Sequence, residues 1–115
     1  MGAFALVAGA HDGNSSLLPK HPEASRGEQC VEPTDVIRRN HMKFLLHQRD
    51  ETMHRGIRTT KHSLKNCISC HASKDDNGNY VPVNSEGEFC QSCHSYAAVS
   101  LDCFQCHSTV PEDEK

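Results

Sequence analysis

Apolar residues follow a helical pattern over one long stretch of this 115-residue chain, between Pro33 and Gly56. Ile37, Phe44 and Leu45 are spaced so that they share one side of a helix, and the same side carries a histidine, His41. Thr34 or Asp35 is a suitable N-terminal cap after Pro33, and Gly56 is a suitable stop. The pattern therefore predicts a helix over residues 34–55.

The other segments are short and irregular. Residues 11–33 contain three prolines and little periodicity, which predicts an extended arm. Asp75-Asp-Asn-Gly-Asn79 is a strong turn sequence, and Tyr80-Val-Pro-Val83 is a short extended segment that its proline confines to an edge or a loop. We expect a mainly helical protein with irregular loops and little β-structure.

One five-residue pattern occurs three times in the second half of the chain. The copies are Cys67-Ile-Ser-Cys70-His71, Cys90-Gln-Ser-Cys93-His94 and Cys103-Phe-Gln-Cys106-His107. Cys-x-x-Cys-His is the attachment signature of c-type haem. The two thiols bind the porphyrin vinyl groups as thioethers, and the histidine binds iron as the proximal ligand. The pattern predicts three covalently bound haem c groups, attached through all six cysteines, with His71, His94 and His107 as the proximal ligands.

Two other kinds of protein site also use paired cysteines, and each is an alternative to haem here. Cys67-x2-Cys70 and Cys90-x2-Cys93 are spaced as in a four-cysteine zinc site, but zinc gives no reason for a histidine after every pair, and it leaves one pair over. A thioredoxin-like redox pair requires a βαβ context, which the pattern does not provide. Haem fits all three copies.

The composition provides little material for a protein-only core. Hydrophobic residues make up 36% of the chain, with no Trp, four Phe and two Tyr, and the mean hydropathy is −0.64. A chain of this length forms one domain at most. We therefore expect the polypeptide to wrap around the three haems, and the apoprotein to be largely unfolded.

Charge and cysteine usage limit the partners and the compartment. The net charge is −3 with scattered basic residues, so nothing indicates nucleic acid. Thioether attachment takes place outside the cytoplasmic membrane, which predicts the periplasmic side of that membrane. Haem occupies six of the seven cysteines, so disulfides are not implied.

The predicted organisation has four segments. Residues 1–10 are apolar and end in small residues, as in a signal or anchor remnant or a leader, but they are too short to cross a bilayer. Residues 11–33 form the arm that carries Cys30, residues 34–110 form the triheme cytochrome domain, and residues 111–115 form an acidic tail that frays.

The distal iron ligands must come from the first half of the chain. After residue 71 every histidine, methionine and cysteine belongs to a motif. The candidates are Cys30, His41, Met42, His47, Met53, His54 and His62, with His11 and His21 in the arm. His41 and Met42 point about 100° apart on a helix, so they are able to reach different irons. Cys30 is a structural thiol, a partner in an intermolecular disulfide or an iron-bound thiolate.

A set of longer motifs resembles one known family, the triheme cytochrome c subunit (the J subunit) of the Dsr membrane redox complex of sulfur-metabolising prokaryotes. The motifs are Cys30-Val-Glu-Pro33, Arg39-Asn-His-Met42, Asn66-Cys-Ile-Ser-Cys-His71 and the run from Cys93 to Cys103. The resemblance covers roughly residues 28–107. The family has a membrane-anchoring N-terminal segment, to which residues 1–10 correspond only as a stub.

The resemblance implies three different axial pairs: His/His, His/Met and His/Cys. It makes Cys30 the thiolate ligand, His41 the distal histidine and Met42 the distal methionine. The candidates His47, His54 and His62, which come from the sequence and not from the resemblance, stay as alternates. It also implies other subunits of a membrane redox complex and periplasmic redox partners, with membrane association through those partners or through an N-terminal anchor.

The expected function is electron transfer by a subunit of a membrane redox complex linked to dissimilatory sulfur metabolism, and not enzymatic catalysis. Two alternatives remain. A free soluble electron shuttle is one, although the mixed charges show no strong single-sign patch. A catalytic cytochrome that acts on a sulfur species at the Cys30-ligated haem is the other, although it requires an open iron position.

Overall fold

The computed structural model describes residues 19–112. Its elements are three α-helices, α1 (Thr34–Arg55), α2 (Leu64–His71) and α3 (Phe89–Tyr96), followed by a short 3-10 helix (Asp102–Gln105). The predicted leader (residues 1–10), the first part of the arm (11–18) and the end of the acidic tail (113–115) lie outside the described residues.

The bounds of α1 confirm the predicted helix over residues 34–55. Its end is also as predicted, since Gly56 takes the left-handed conformation (φ 67°), which costs glycine little. The predicted cap, Thr34 or Asp35, is wrong. Thr34 is already helical, and the cap position is Pro33, whose carbonyl accepts hydrogen bonds from the Val36 and Ile37 amides at 2.9 and 3.0 Å. The backbone of Pro33 therefore begins the helix without a side-chain cap.

One side of α1 is only half-buried. Its members are the four residues that the sequence predicts on one side, Ile37, His41, Phe44 and Leu45, together with Gln48; we refer to these five as the half-buried stripe. No residue of α1 is fully buried, and Met42 and Leu46 beside the stripe are 42% and 41% exposed. The protein therefore leaves much of this helix's apolar surface uncovered.

The protein core of the described residues is very small. Ile68 of α2, Ala72 directly after that helix and Val83 of the following loop are buried, and part-buried side chains pack around them: Leu64, Tyr80, Cys90 and Phe104. No two helices in residues 19–112 pack closely against each other. This agrees with the expectation of a thin polypeptide core. That the chain wraps around haem stays a prediction.

The loop between α2 and α3 contains the predicted turn. The Asp75 carboxylate accepts hydrogen bonds from the Asn77 and Asn79 amides, both at 2.9 Å, and Gly78 is in the left-handed region (φ 84°). Within the described part of the chain β-structure is limited to one antiparallel bridge between Lys74 and Tyr80. The turn returns the chain to the core at Val83.

Candidate haem-binding site

The first motif occupies the last five residues of α2. The Cys67 amide donates to the Ser63 carbonyl at 3.0 Å, which places Cys67 in the opening turn of the helix. Cys70 follows one turn later, and His71 is the last helical residue. The helical spacing brings both thiols to one side of α2, as thioether attachment to a single porphyrin requires.

The second motif lies on α3 in the same way. Cys90 is in the first turn, where its amide donates to the Val83 carbonyl at 3.2 Å. His94 lies two residues before the end of the helix, and its carbonyl accepts the Val99 amide at 2.9 Å. The two short helices therefore present equivalent Cys-x-x-Cys-His units.

The third motif differs from the first two. Cys103 lies in the 3-10 helix, Cys106 follows it, and the His107 amide donates to the Cys103 carbonyl at 3.0 Å. Cys106 and His107 are exposed, whereas the thiols of the first two motifs are part-buried. The third motif is the least enclosed by protein.

The first cysteines of the three motifs lie near one another. Burial, followed by the neighbouring thiols of Cys67 and Cys103, raises the pKa of Cys90 to about 11. Burial also raises the pKa of Cys67, followed by the nearby Cys30 and Cys70. Cys90 thus lies within electrostatic range of both other motifs. At neutral pH it is held as a thiol, which is the protonated and less easily oxidised form.

Two of the three motif histidines are held in the neutral state. Burial lowers the pKa of His71, with a smaller effect from His21. Burial also lowers the pKa of His94, followed by His41, while the Val99 backbone acts in the opposite direction. The Nδ1 atoms of both rings are buried and have no hydrogen-bond partner among the described residues. Neutral imidazole is the form that binds a metal, so these two side chains fit iron ligation.

An aromatic side chain supports the first of these histidines. The Phe89 ring lies almost parallel to that of His71, with centroids 3.6 Å apart and an interplanar angle of 15°. The His21 ring meets the same Phe89 ring edge-on at 5.2 Å. This stack could not be predicted from the sequence, because Phe89 lies directly before the second motif and outside any ligand pattern. The stack with Phe89 fixes the plane of the His71 imidazole ring.

His41 of α1 lies opposite His94 of α3. Their ring centroids are 5.9 Å apart and their planes are inclined by 69°. The His41 Nδ1 atom lies 3.2 Å from the carbonyl oxygens of Ile37 and Arg38. Two imidazole–metal bonds of about 2 Å each span about 4 Å, and the ring radii make up the rest, so this separation suits two ligands of one metal ion.

The arm that carries Cys30 contacts the first motif. Both the amide and the hydroxyl of Ser25 donate to the Cys70 carbonyl, at 2.7 and 3.0 Å. Arg26 donates to the Ser69 hydroxyl at 3.3 Å. Cys30 itself is exposed, and it is near enough to Cys67 to raise the pKa of that thiol. The arm therefore contacts the C-terminal end of α2.

The remaining candidates lie in different surroundings. His47, Met53 and His54 are exposed on α1, outside the half-buried stripe. Met42 is exposed next to that stripe. The His62 Nε2 atom lies 2.9 Å from a carboxylate oxygen of Glu32, and its ring stacks on Phe44 at 4.3 Å. Among the alternates, His62 is therefore already engaged by protein groups.

Residues 19–112 contain no cluster of three or more His, Cys, Asp or Glu side chains arranged to hold a metal ion by themselves. The same residues include no helix long and apolar enough to cross a membrane.

Residues 60–99 match the family described as a doubled CXXCH motif, and the match includes the first two motifs. The doubled motif indicates covalent binding of c-type haem.

The chain is also 33% identical over 98 residues to the "Hdr-like menaquinol oxidoreductase cytochrome c subunit" of Archaeoglobus fulgidus. The alignment covers 75% of this chain and 60% of that relative, so the chain spans less than two thirds of the relative's length. No solved structure matches this chain.

Proposed function

We propose that this protein transfers electrons through three c-type haems on the periplasmic side of the cytoplasmic membrane, as a subunit of a membrane redox complex linked to dissimilatory sulfur metabolism. The observation that carries the proposal is the convergence of the three motifs. Cys67 and Cys103, the first cysteines of the first and third motifs, lie near Cys90, the first cysteine of the second motif. Haem, when bound, supplies iron that accepts and releases single electrons. Haems attached at these neighbouring cysteines would exchange electrons with one another.

The attachment roles follow from the motifs. In each one the two cysteines hold the porphyrin and the histidine binds iron. The neutral state of His71 and His94 and the helical spacing of their cysteines support these roles for the first two motifs. The third motif has the same residues in the same order, and we assign it the same chemistry.

Two of the three distal ligands have positions that favour one motif. His41 pairs with His94, because the two rings lie opposite each other at 5.9 Å. Cys30 serves the first motif, because it lies near Cys67 and its arm is bonded to α2. Met42 is then left for the third motif. A thiolate favours ferric iron and a thioether favours ferrous iron, so the three haems have widely separated potentials.

The relative supports the place of the chain in a membrane complex. That protein is named as a cytochrome c subunit of a menaquinol oxidoreductase, which indicates a quinol-oxidising module as the electron partner. The motifs around Cys30 and His41 support the link to sulfur metabolism, because they resemble those of the Dsr J subunit.

The test uses native membranes that contain the full-length protein with a C-terminal affinity tag. A reduced menaquinone analogue should reduce the haems of the membrane-bound protein, as followed at the α-band, and a quinol-site inhibitor should block this reduction. A protein that stays in the soluble fraction and is reduced equally with or without membranes would be a free shuttle. Turnover of sulfite or thiosulfate by the purified chain alone would make it an enzyme.

A further inference from the structure

A group of three side chains connects the segment after Cys30 to the loop before α2. Glu32 Oε1 lies 2.7 Å from Lys61 Nζ and 2.9 Å from His62 Nε2. The Glu32 and His62 side chains are 23% and 19% exposed, whereas Lys61 is 60% exposed. We refer to Glu32, Lys61 and His62 as the Glu32 clamp.

The loop side of the clamp is itself held in place. The His62 ring stacks on Phe44 of α1 at 4.3 Å with an interplanar angle of 7°. Thr59 donates to the Gln48 side chain at 2.6 Å, and Asn66 of α2 donates to the Thr60 carbonyl at 3.0 Å. The loop is therefore attached to both α1 and α2, so that Glu32 binds to a fixed point.

The backbone at the clamp indicates that this point is specified by tertiary contacts. His62 has a φ of 59°, a left-handed conformation that is unfavourable for a residue with a Cβ. Such conformations persist where surrounding contacts hold them. Here those contacts are the Phe44 ring on one side and the Glu32 carboxylate on the other.

We propose that Glu32 and His62 are positioning residues that hold the Cys30 sulfur beside the first haem motif. Glu32 lies two residues after Cys30, and His62 lies five residues before Cys67. Closing the clamp therefore brings the two cysteine-bearing segments together. This inference rests on the proposed role of Cys30 as an iron ligand. It also assigns His62 a role different from that of distal ligand.

The rate at which Cys30 is alkylated in the haem-loaded protein measures how well the clamp holds this residue. With six cysteines bound as thioethers, Cys30 is the one remaining thiol, so alkylation by iodoacetamide followed by intact mass reports its accessibility alone. A hydrogen bond to a charged carboxylate contributes enough to change an opening equilibrium by roughly tenfold. Glu32→Ala should therefore raise the alkylation rate of Cys30 about tenfold.

Spectroscopy separates positioning from general destabilisation. In Glu32→Ala the low-spin ferric EPR signal that depends on Cys30 should weaken, while the signals of the other two haems remain as in wild type. Glu32→Asp, which keeps the carboxylate, should give an intermediate alkylation rate. Glu28→Ala is the matched control, because exposed Glu28 lies two residues before Cys30; it should behave as wild type.

A double-mutant cycle tests whether Glu32 acts through His62. His62→Ala should reproduce the effect of Glu32→Ala, and the double variant should add little to either one. Lys61→Met should change the rate much less, because an exposed ion pair contributes little. Full additivity of the two clamp variants would overturn the pairing of Glu32 with His62.

Two variants separate the positioning role of the clamp from the role of Cys30 as an iron ligand. If Cys30→Ser removes the EPR signal but Glu32→Ala changes neither this signal nor the alkylation rate, the clamp does not position Cys30. If Cys30→Ser leaves the signal unchanged, Cys30 is not a ligand, and the inference falls together with that part of the proposed function.

Discussion

The imidazole rings of His41 and His94 lie opposite each other, with centroids 5.9 Å apart, although the two residues belong to helices that do not pack closely. His94 follows the second cysteine pair, and His41 lies on the half-buried stripe of α1. A pair of imidazoles at this separation would suit two ligands of one iron.

Replacement of His41 tests this pair. In His41→Ala one of the three haems should change from low-spin to high-spin, because alanine offers no donor atom, and the other two should keep their spectra. His47→Ala is the matched control, since His47 lies on the exposed side of the same helix. Low-temperature EPR and the absorption spectrum of the ferric protein measure the change. A high-spin haem in the control and none in His41→Ala would make His47 the ligand.

Cys30 is expected to give one haem a low potential. In Cys30→Ser a distinct low-spin ferric EPR signal should disappear while all three haems stay attached, because serine is a poor iron ligand. In the wild-type redox titration, one haem should stay oxidised at potentials where the other two are reduced.

His21 is a competing candidate for the same haem, because it lies beside Phe89 and His71. His21→Ala should leave the EPR signal and the titration unchanged. A loss of the signal in this variant, with no effect of Cys30→Ser, would transfer the assignment from Cys30 to His21.

Local features of the fold could be predicted from the sequence, and tertiary ones could not. The bounds of α1 follow from its apolar spacing and from Gly56, and the turn at Asp75 follows from its residues. The helix cap was misplaced because Thr34 and Asp35 are common capping residues, whereas the Pro33 carbonyl accepts the first amides here. Side-chain preference does not report such a backbone arrangement.

In the candidate site, too, local features could be predicted from the sequence and tertiary contacts could not. The motif residues could be named from spacing alone. The stack of Phe89 on His71 and the hydrogen bond between His62 and Glu32 join residues that are distant in sequence or carry no motif. Only the three-dimensional arrangement shows that His62 is occupied by Glu32 and that His41 lies opposite His94.

Val83 tests the contribution of the small protein core. Its side chain is fully buried against Ile68 and Ala72, and its carbonyl accepts the Cys90 amide at 3.2 Å. Val83→Ala should lower the free energy of unfolding by about 2 kcal/mol, from lost burial and the cavity left behind. Denaturant unfolding of the haem-loaded protein measures this. Val31→Ala is the control, because Val31 is 51% exposed, and an equal loss in both variants would contradict the assigned core.

The Asp75 turn predicts a pH dependence. The backbone amide of Asn79, and then that of Asn77, lower the pKa of Asp75. The carboxylate therefore stabilises the fold above its ordinary pKa, and this contribution is lost as the pH falls through the lowered value. Asp75→Asn should reduce the thermal midpoint at pH 7 and flatten its decline in acid, whereas Asp76→Asn should do neither. Parallel midpoint curves for Asp75→Asn and wild type from pH 7 to pH 2 would show that the turn carries no such linkage.

The intact mass of the full-length protein, matured in a periplasm that attaches haem, tests the central claim most directly. The measured mass should exceed that of the polypeptide by three haems. Removing both thiols of one motif, as in Cys67→Ala with Cys70→Ala, should reduce the excess to two. A mass equal to that of the polypeptide, with zinc bound to the cysteines, would contradict the account.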